Sequence, residues 1–286
     1  MIRSLNHPPQ VFHGNRMTSL AAAIARDSRG PSALYLITDS RITWGAAAER
    51  WDAGRKTFAS HTGADVFGYC GDAYFMPMAL GQVLSMAAHG VVNLSSHSAE
   101  KRHEIVLALL AKSISMIRTQ YALPMTLFHG ARDGEFMASK FRLWRSEIHP
   151  TSNAWSDTEL VVNDQSYLAA IDGTGATHIQ KFEKKVESTA AVGTSRGAIH
   201  AFCQSLHTGN DPFSGGAPQL VGLWRKGPAK QFGFCWHGKY FIAGMEVSAG
   251  VERERVEWFN NLFERCDGRT GRRIAGSSSH RPSLQT

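Results

Sequence analysis

MTSLAAAIARDSRGPSALYLITDSR, residues 17–41, holds two apolar runs on either side of a Gly-Pro turn. SLAAAI (19–24) and ALYLITDS (33–40) read as strands, and RDSRGPS (26–32) as the turn that joins them into a hairpin. Further on, 56–59 (KTFA) and 65–69 (DVFGY) fit two more short strands. Gly71-Asp72 predicts a break and an N-cap, since Asp can accept the free amides of a first helical turn. Met76, Leu80, Val83 and Leu84 give helical spacing over 73–89, with Pro77 in the first turn, where its missing amide is tolerated. Ile105, Leu109, Leu110, Ile114 and Ile117 predict a second helix over 99–121. Strands are predicted at 125–130, 135–145, 158–163, 166–171, 176–182 and 188–193. A helix follows over 196–207, then strands at 219–226, 230–238 and 238–244, and a closing helix over 250–265. Grouped strands and grouped helices point to an α+β layer fold.

The composition narrows the function classes. The 286 residues are enough for a sizeable core, and no apolar run nears the roughly 20 residues of a membrane-spanning helix. The first 16 residues, MIRSLNHPPQVFHGNR, lack the apolar stretch of a secretory signal, so a cytoplasmic protein is expected. The net charge is +7, but Arg269, Arg272, Arg273 and Arg281 supply much of it near the C-terminal end, and no basic run alternates with aromatics. No nucleic-acid partner and no membrane partner are expected. Cys70, Cys203, Cys235 and Cys266 form no CxxC pair, and the histidines form no HExxH cluster, so no metal and no cofactor are expected. Cys203 and Cys235 sit in apolar segments, where a buried inert thiol is the ordinary explanation. Residues 1–17 read as a leader, 18–267 as the folded body, and 268–286, rich in Gly, Ser and Arg, as a disordered tail.

Four features carry chemistry together: Met17-Thr18-Ser19, Asp39-Ser40-Arg41, Arg55-Lys56 and Gly68-Tyr69-Cys70-Gly71-Asp72-Ala73. A threonine hydroxyl is a weak nucleophile until a base takes its proton. A free α-amino group, with a pKa near 8, can be that base. A buried lysine beside the hydroxyl favours the alkoxide, a carboxylate holds the lysine, and a backbone amide of a Gly-rich turn stabilises the oxyanion. Thr18, Lys56, Asp39 and Gly68 are one candidate for each role. Taken singly, each has a plainer reading: a common Met-Thr pair, a solvated lysine, a strand-end turn and a helix entry.

The order and intervals of these features resemble the opening of proteasome β subunits and their bacterial relatives, in particular the bacterial ancestral-β-subunit (Anbu) proteins. Those also begin Met-Thr and carry a D-S-R motif. The resemblance covers residues 18–90. It returns at 166–207, where IDGTGATH (171–178) and TAAVGTSRGA (189–198) are similar to the family's "D-x-x-G … A-[IV]-G-S-G" stretch. It implies a four-layer αββα sandwich of the N-terminal-nucleophile (Ntn) hydrolase type. It implies Thr18 as nucleophile with its own amine as base, Lys56 lowering the barrier, Asp39 orienting Lys56, and the Gly68 amide as oxyanion donor. Arg41 matches the motif arginine in a structural role. Thr194, with Ser195 as runner-up, takes the place of a serine beside the nucleophile's amine. Ile42 and Val66 would line an apolar specificity pocket. Asp211 and Ser214 are of the right type for the family's second downstream Asp and Ser, and their spacing leaves the match open.

The resemblance implies a threonine-type peptidase that acts on a peptide or protein substrate and self-associates into a ring or spiral, with any ATPase partner unspecified. Two alternatives stay open: a non-catalytic assembly subunit, and an Ntn amidase for a small molecule. The mechanism needs a free amine on Thr18. Residues 1–16 are therefore expected to be either an over-called start, with Met17 removed by methionine aminopeptidase, or a short propeptide.

Overall fold

The computed structural model describes residues 10–12, 17–44, 49–117, 124–149, 154–163, 165–248 and 252–277. The rest of the leader, the end of the predicted second helix beyond 117 and the last residues of the tail lie outside the described residues.

The hairpin expected at the start of the body is present as β2 (Leu20–Asp27) and β3 (Gly30–Thr38). Alternate residues point to opposite faces, and both faces are buried. Leu20, Ala22, Ile24, Leu34 and Leu36 face one apolar cluster, while Ala21, Ala23, Tyr35 and Ile37 face another. Full burial of each Leu or Ile contributes roughly 1.5–3 kcal/mol. This pair is the centre of the main sheet. On one side lie β11 (Tyr167–Asp172) and, parallel to it, β1 (Gln10–Phe12). On the other lie β12 (Gln219–Trp224), β13 (Lys230–Trp236), β14 (Lys239–Ile242) and β15 (Met245–Glu246). A second sheet runs β10 (Ala154–Leu160), β9 (Lys140–His149), β8 (Met125–Asp133), β7 (Asp65–Cys70), β6 (Thr57–Ala59). The two sheets meet where Leu20, Ile24, Leu34 and Leu36 pack with Val66, Phe128 and Leu143. A separate hairpin, β4 (Ile42–Trp44) with β5 (Glu49–Trp51), follows β3.

Four helices complete the described residues: α1 (Phe75–Ala88), α2 (Ala99–Ile114), α3 (Ala176–Val186) and α4 (Ser195–His207). Ahead of α1, the Asp72 carboxylate accepts the amides of Tyr74 and Phe75, as a capping Asp should. Gly71 stands at φ +101°, and a Cβ there would lie 2.3 Å from the Pro124 carbonyl oxygen, so only glycine fits this break. No helix among the described residues is long and apolar enough to cross a membrane.

The expected four-layer αββα sandwich is corrected by this make-up. The regular structure of the described residues is mostly antiparallel strand in three sheets, with only four short α-helices. One physical reason lies at 250–265, expected to be a closing helix. There the chain forms a 3-10 turn at Arg253–Arg255 and the strands β16 (Trp258–Asn260) and β17 (Arg265–Cys266). Strand β16 pairs in parallel with β13, and Trp258 is buried against Gly233, so tertiary pairing overrides the local helical pattern. The opposite error occurs at 176–182, predicted as strand. Ala176, Ile179, Phe182 and Val186 are buried at helical spacing and form one side of α3. Residues 188–193, also predicted as strand, form turns that end at Gly193, φ +67°.

Candidate active site

Thr18 and Ser19 lead directly into β2, and Asp39 directly follows β3, so the hairpin brings both ends of residues 18–39 together. The Asp39 amide donates to the Ser19 carbonyl at 3.2 Å. Lys56 stands just ahead of β6, and its ammonium lies between the other two side chains. Nζ donates to Thr18 Oγ1 at 2.7 Å and to Asp39 Oδ1 at 2.8 Å. All three residues are buried, at 1%, 2% and 0% exposure for Thr18, Lys56 and Asp39. A buried ion pair is tolerable only when its remaining hydrogen-bonding capacity is met. Asp39 meets it with the amide of Ser19 on Oδ1 (3.0 Å) and those of Arg41 (3.0 Å) and Gly215 (2.9 Å) on Oδ2.

The backbone nitrogen of Thr18 is held from the other side. It donates to Thr174 Oγ1 at 3.4 Å, and the Gly175 amide donates to the Thr18 carbonyl at 3.3 Å. Thr174 Oγ1 in turn donates to Asp211 Oδ2 at 2.8 Å, and Ser214 Oγ donates to the same oxygen at 2.7 Å. Ser19 Oγ closes the ring on Ser214 Oγ at 2.9 Å. A Cβ at Gly175 would lie 1.8 Å from Ser19 Oγ, so the loop can approach Thr18 only as glycine.

The structure therefore brings together Thr18, Asp39, Lys56, Asp211 and Ser214. It places Thr194 and Ser195 elsewhere. Thr194 caps α4, accepting the Gly197 amide at 3.0 Å and donating to the Ala191 carbonyl at 2.6 Å, and Ser195 is the first residue of that helix. The hydroxyl next to the Thr18 nitrogen is Thr174, which the sequence reading missed. No local pattern signalled it: β11 pairs antiparallel with β2 so that Asp172 faces Leu20, and two further steps set Thr174 opposite Thr18.

Gly68 lies inside β7, paired with Thr57 on one side and Phe128 on the other. The neighbouring Tyr69 amide donates to the Lys56 carbonyl, so strand alternation turns the Gly68 amide toward β8 and not toward Thr18. A Cβ on Gly68 would come within 2.9 Å of Leu20, which gives the glycine a packing role. Val66 is fully buried between the sheets beside Gly130, while Ile42 packs over Gly54 on the β4 side of the site. Arg41 forks onto Asp52 at 2.7 and 2.9 Å and reaches the carbonyls of Pro212 and Ser214. That fork holds the Asp52 carboxyl below its usual range and ties the 212–214 loop to the hairpin end. Beside Ser214 opens a cavity of about 390 Å³ lined by Arg41, Gly215, Trp236, His237 and Phe241. Among the described residues, no group of three or more His, Cys, Asp or Glu side chains is arranged to hold a metal ion.

No family model matches the chain, and no curated protein matches it.

Proposed function

We propose that this chain is a threonine-type amide hydrolase, a proteasome-like peptidase that acts through Thr18 once its α-amino group is free. The observation that supports the reading is the Lys56 ammonium, buried between Thr18 Oγ1 and the Asp39 carboxylate. A lysine whose only purpose was solubility would not be placed there, because burying the pair has a desolvation cost that packing alone does not offset.

In the proposed reaction the α-amine takes the hydroxyl proton, and Oγ1 attacks the amide carbonyl carbon. Lys56 stabilises the negative charge on Oγ1 as the proton leaves, and Asp39 holds the ammonium in place. Collapse of the tetrahedral intermediate expels the substrate amine, which takes the proton back from the α-ammonium, leaving an ester on Thr18. Water, deprotonated by the same amine, then hydrolyses the ester. Thr174 and Asp211 orient the amine through the hydrogen bond already made by the Thr18 nitrogen. Self-association accompanies the peptidase reading, and light scattering measures it.

One observation favours the non-catalytic alternative. Gln10–Phe12 of the leader pairs with Ala170–Asp172, on the strand that leads into the Thr174 loop. A leader retained in that position would leave the Thr18 nitrogen in a peptide bond. Intact mass of the natively expressed protein, followed by labelling with a β-lactone or epoxyketone, separates the readings. The hydrolase reading expects a chain beginning at Thr18 that is labelled once, on that residue. A mature chain that keeps Met17, or a Thr18 chain that is folded and inert, overturns it.

A further inference from the structure

We infer that Gln219 is the positioning residue that sets the Lys56 ammonium between Thr18 and Asp39; the inference rests on the hydrolase reading above and adds a residue to it. Gln219 opens β12 and is 1% exposed. Its Oε1 accepts the Lys56 backbone amide at 3.0 Å, with the Thr57 hydroxyl at 3.5 Å. Its Nε2 donates to the carbonyl oxygens of Asp39 at 3.1 Å and Gly54 at 2.7 Å. The orientation of the carboxamide is fixed by its partners, since a backbone amide can only donate and a carbonyl can only accept.

One side chain thus grips the backbone of both members of the buried ion pair. Asp39 lies past the end of β3 and Lys56 ahead of β6, so neither is held in place as an interior ladder residue. The other backbone ties are the Asp39 amide to the Ser19 carbonyl at 3.2 Å, the Ser40 amide to the Gly215 carbonyl at 3.0 Å, the Gly54 amide to the Ser40 carbonyl at 2.9 Å and the Tyr69 amide to the Lys56 carbonyl at 3.2 Å, none of which joins Asp39 to Lys56. A lysine side chain has four rotatable bonds, and a shift at its backbone carries through to Nζ. No other side chain of this length offers an acceptor on one arm and two protons on the other. Glutamate keeps the acceptor for Lys56 but turns a second oxygen against two carbonyl oxygens. Only when protonated does it recover one of those hydrogen bonds.

The test uses the chain beginning at Thr18 and two variants, Gln219→Glu and Gln219→Met, with Gln219→Asn in place of the latter if it fails to fold. Acylation of Thr18 by a β-lactone and peptide turnover are followed between about pH 6 and pH 9, with hydrogen exchange at the Lys56 amide as an activity-independent arm. Folded Q219M is expected to lose about 10- to 100-fold in kcat at every pH, with KM near wild type, as a misplaced catalytic group does. Q219E is expected to lose as much at high pH and to regain part of it as pH falls. Wild-type rates and a wild-type pH profile in both folded variants overturn the inference. If the unsubstituted Thr18 chain is itself inert, the hydrolase reading falls separately. The exchange arm then decides the clamp: faster exchange of the Lys56 amide in Q219M upholds it, and unchanged protection overturns it.

Discussion

The Thr18–Lys56–Asp39 group is a buried network of charge, the chain running Asp65–His129–His103–Asp157 is buried up to His103 and reaches the surface at Asp157, and the two end differently. In the second, His129 Nε2 lies 3.1 Å from Asp65, its Nδ1 lies 2.9 Å from Nδ1 of His103, and His103 Nε2 lies 3.0 Å from Asp157. Both ends are carboxylates, closed off by Arg102 on Asp65 and Ser146 on Asp157. Phe67 stacks on His129 and Trp144 on His103, sealing the two rings in the packing between α2 and the second sheet. The first network ends instead on a hydroxyl that accepts from an ammonium, next to a loop hydroxyl that holds a backbone nitrogen. Charge pairing is common to both; a buried hydroxyl at the terminus is what marks a candidate site.

The sharpest way to break this comparison is to remove the terminus. In a chain beginning at residue 18, Thr18→Ala is expected to abolish amide turnover by at least about 10³-fold, as loss of a nucleophile does. Its thermal unfolding should stay close to wild type. Peptide hydrolysis by T18A at anything near the unsubstituted rate would make the two networks equivalent and remove the site. Asp65→Asn gives the converse result. It removes the nearer counter-ion of buried Arg102, Asp133 being at 3.7 Å, and loss of one partner of a buried pair costs about 3–5 kcal/mol. Urea unfolding should show that loss, while turnover per folded molecule stays within about twofold of the parent. A large fall in turnover would mean that the histidine chain is coupled to the site after all.

A pH series reads the same contrast without mutation. Burial lowers the His129 pKa from its ordinary 6.5 to about 4, against the pull of Asp65. The unfolded chain therefore binds more protons than the folded one between those values, and stability falls as pH drops from 6.5 toward 4. The loss is of the order of 3 kcal/mol at most. Asp65, opposed by burial but held down by His129 and Arg102, adds its own loss only at more acid pH. Urea midpoints at neutral pH and at about pH 4.5 measure this, and the slope should be absent in His129→Asn. An equal slope in that variant would assign the acid sensitivity to other groups.

How far the sequence could be read follows the same division. The Thr18, Asp39 and Lys56 cluster was legible because three local motifs fell in a family-like order on one hairpin and the segment after it. Thr174 was not, because its role depends on the pairing of β11 with β2, which no local pattern encodes. Thr194 was misplaced for a related reason: an S/T residue before a helix is as good a cap as a site hydroxyl, and here it caps. The hairpin and the capped entry to α1 were legible from turn and cap residues. The layer arrangement was not, since 250–265 owes its strands to a parallel neighbour more than 20 residues earlier in the chain. The Asp65–His129–His103–Asp157 chain gave no sequence signal at all, its members being scattered over four elements.

The smallest effect concerns a carboxyl that belongs to neither network. Glu183 lies on the face of α3 toward β11, and among the described residues no cation pairs with it. Burial, with Glu187 one turn on adding like charge, raises its pKa from 4.5 to about 8, against the pull of a backbone hydrogen bond from Leu168. The folded state thus binds the extra proton between those values. The stabilisation this proton provides is fully present below about pH 4.5 and is lost as pH rises through 8. Glu183→Gln fixes the side chain in its neutral form. Because solvent still reaches part of the group, the gain at pH 9 is expected to be about 1–2 kcal/mol, shrinking to near zero at pH 4. Paired unfolding curves at those two values check it. A constant offset would mean that Glu183 is charged throughout, and that some group on α4 or β11 compensates it as Lys56 compensates Asp39. The pattern of the two networks, a buried charge with a built partner, would then extend to this carboxyl of α3 as well.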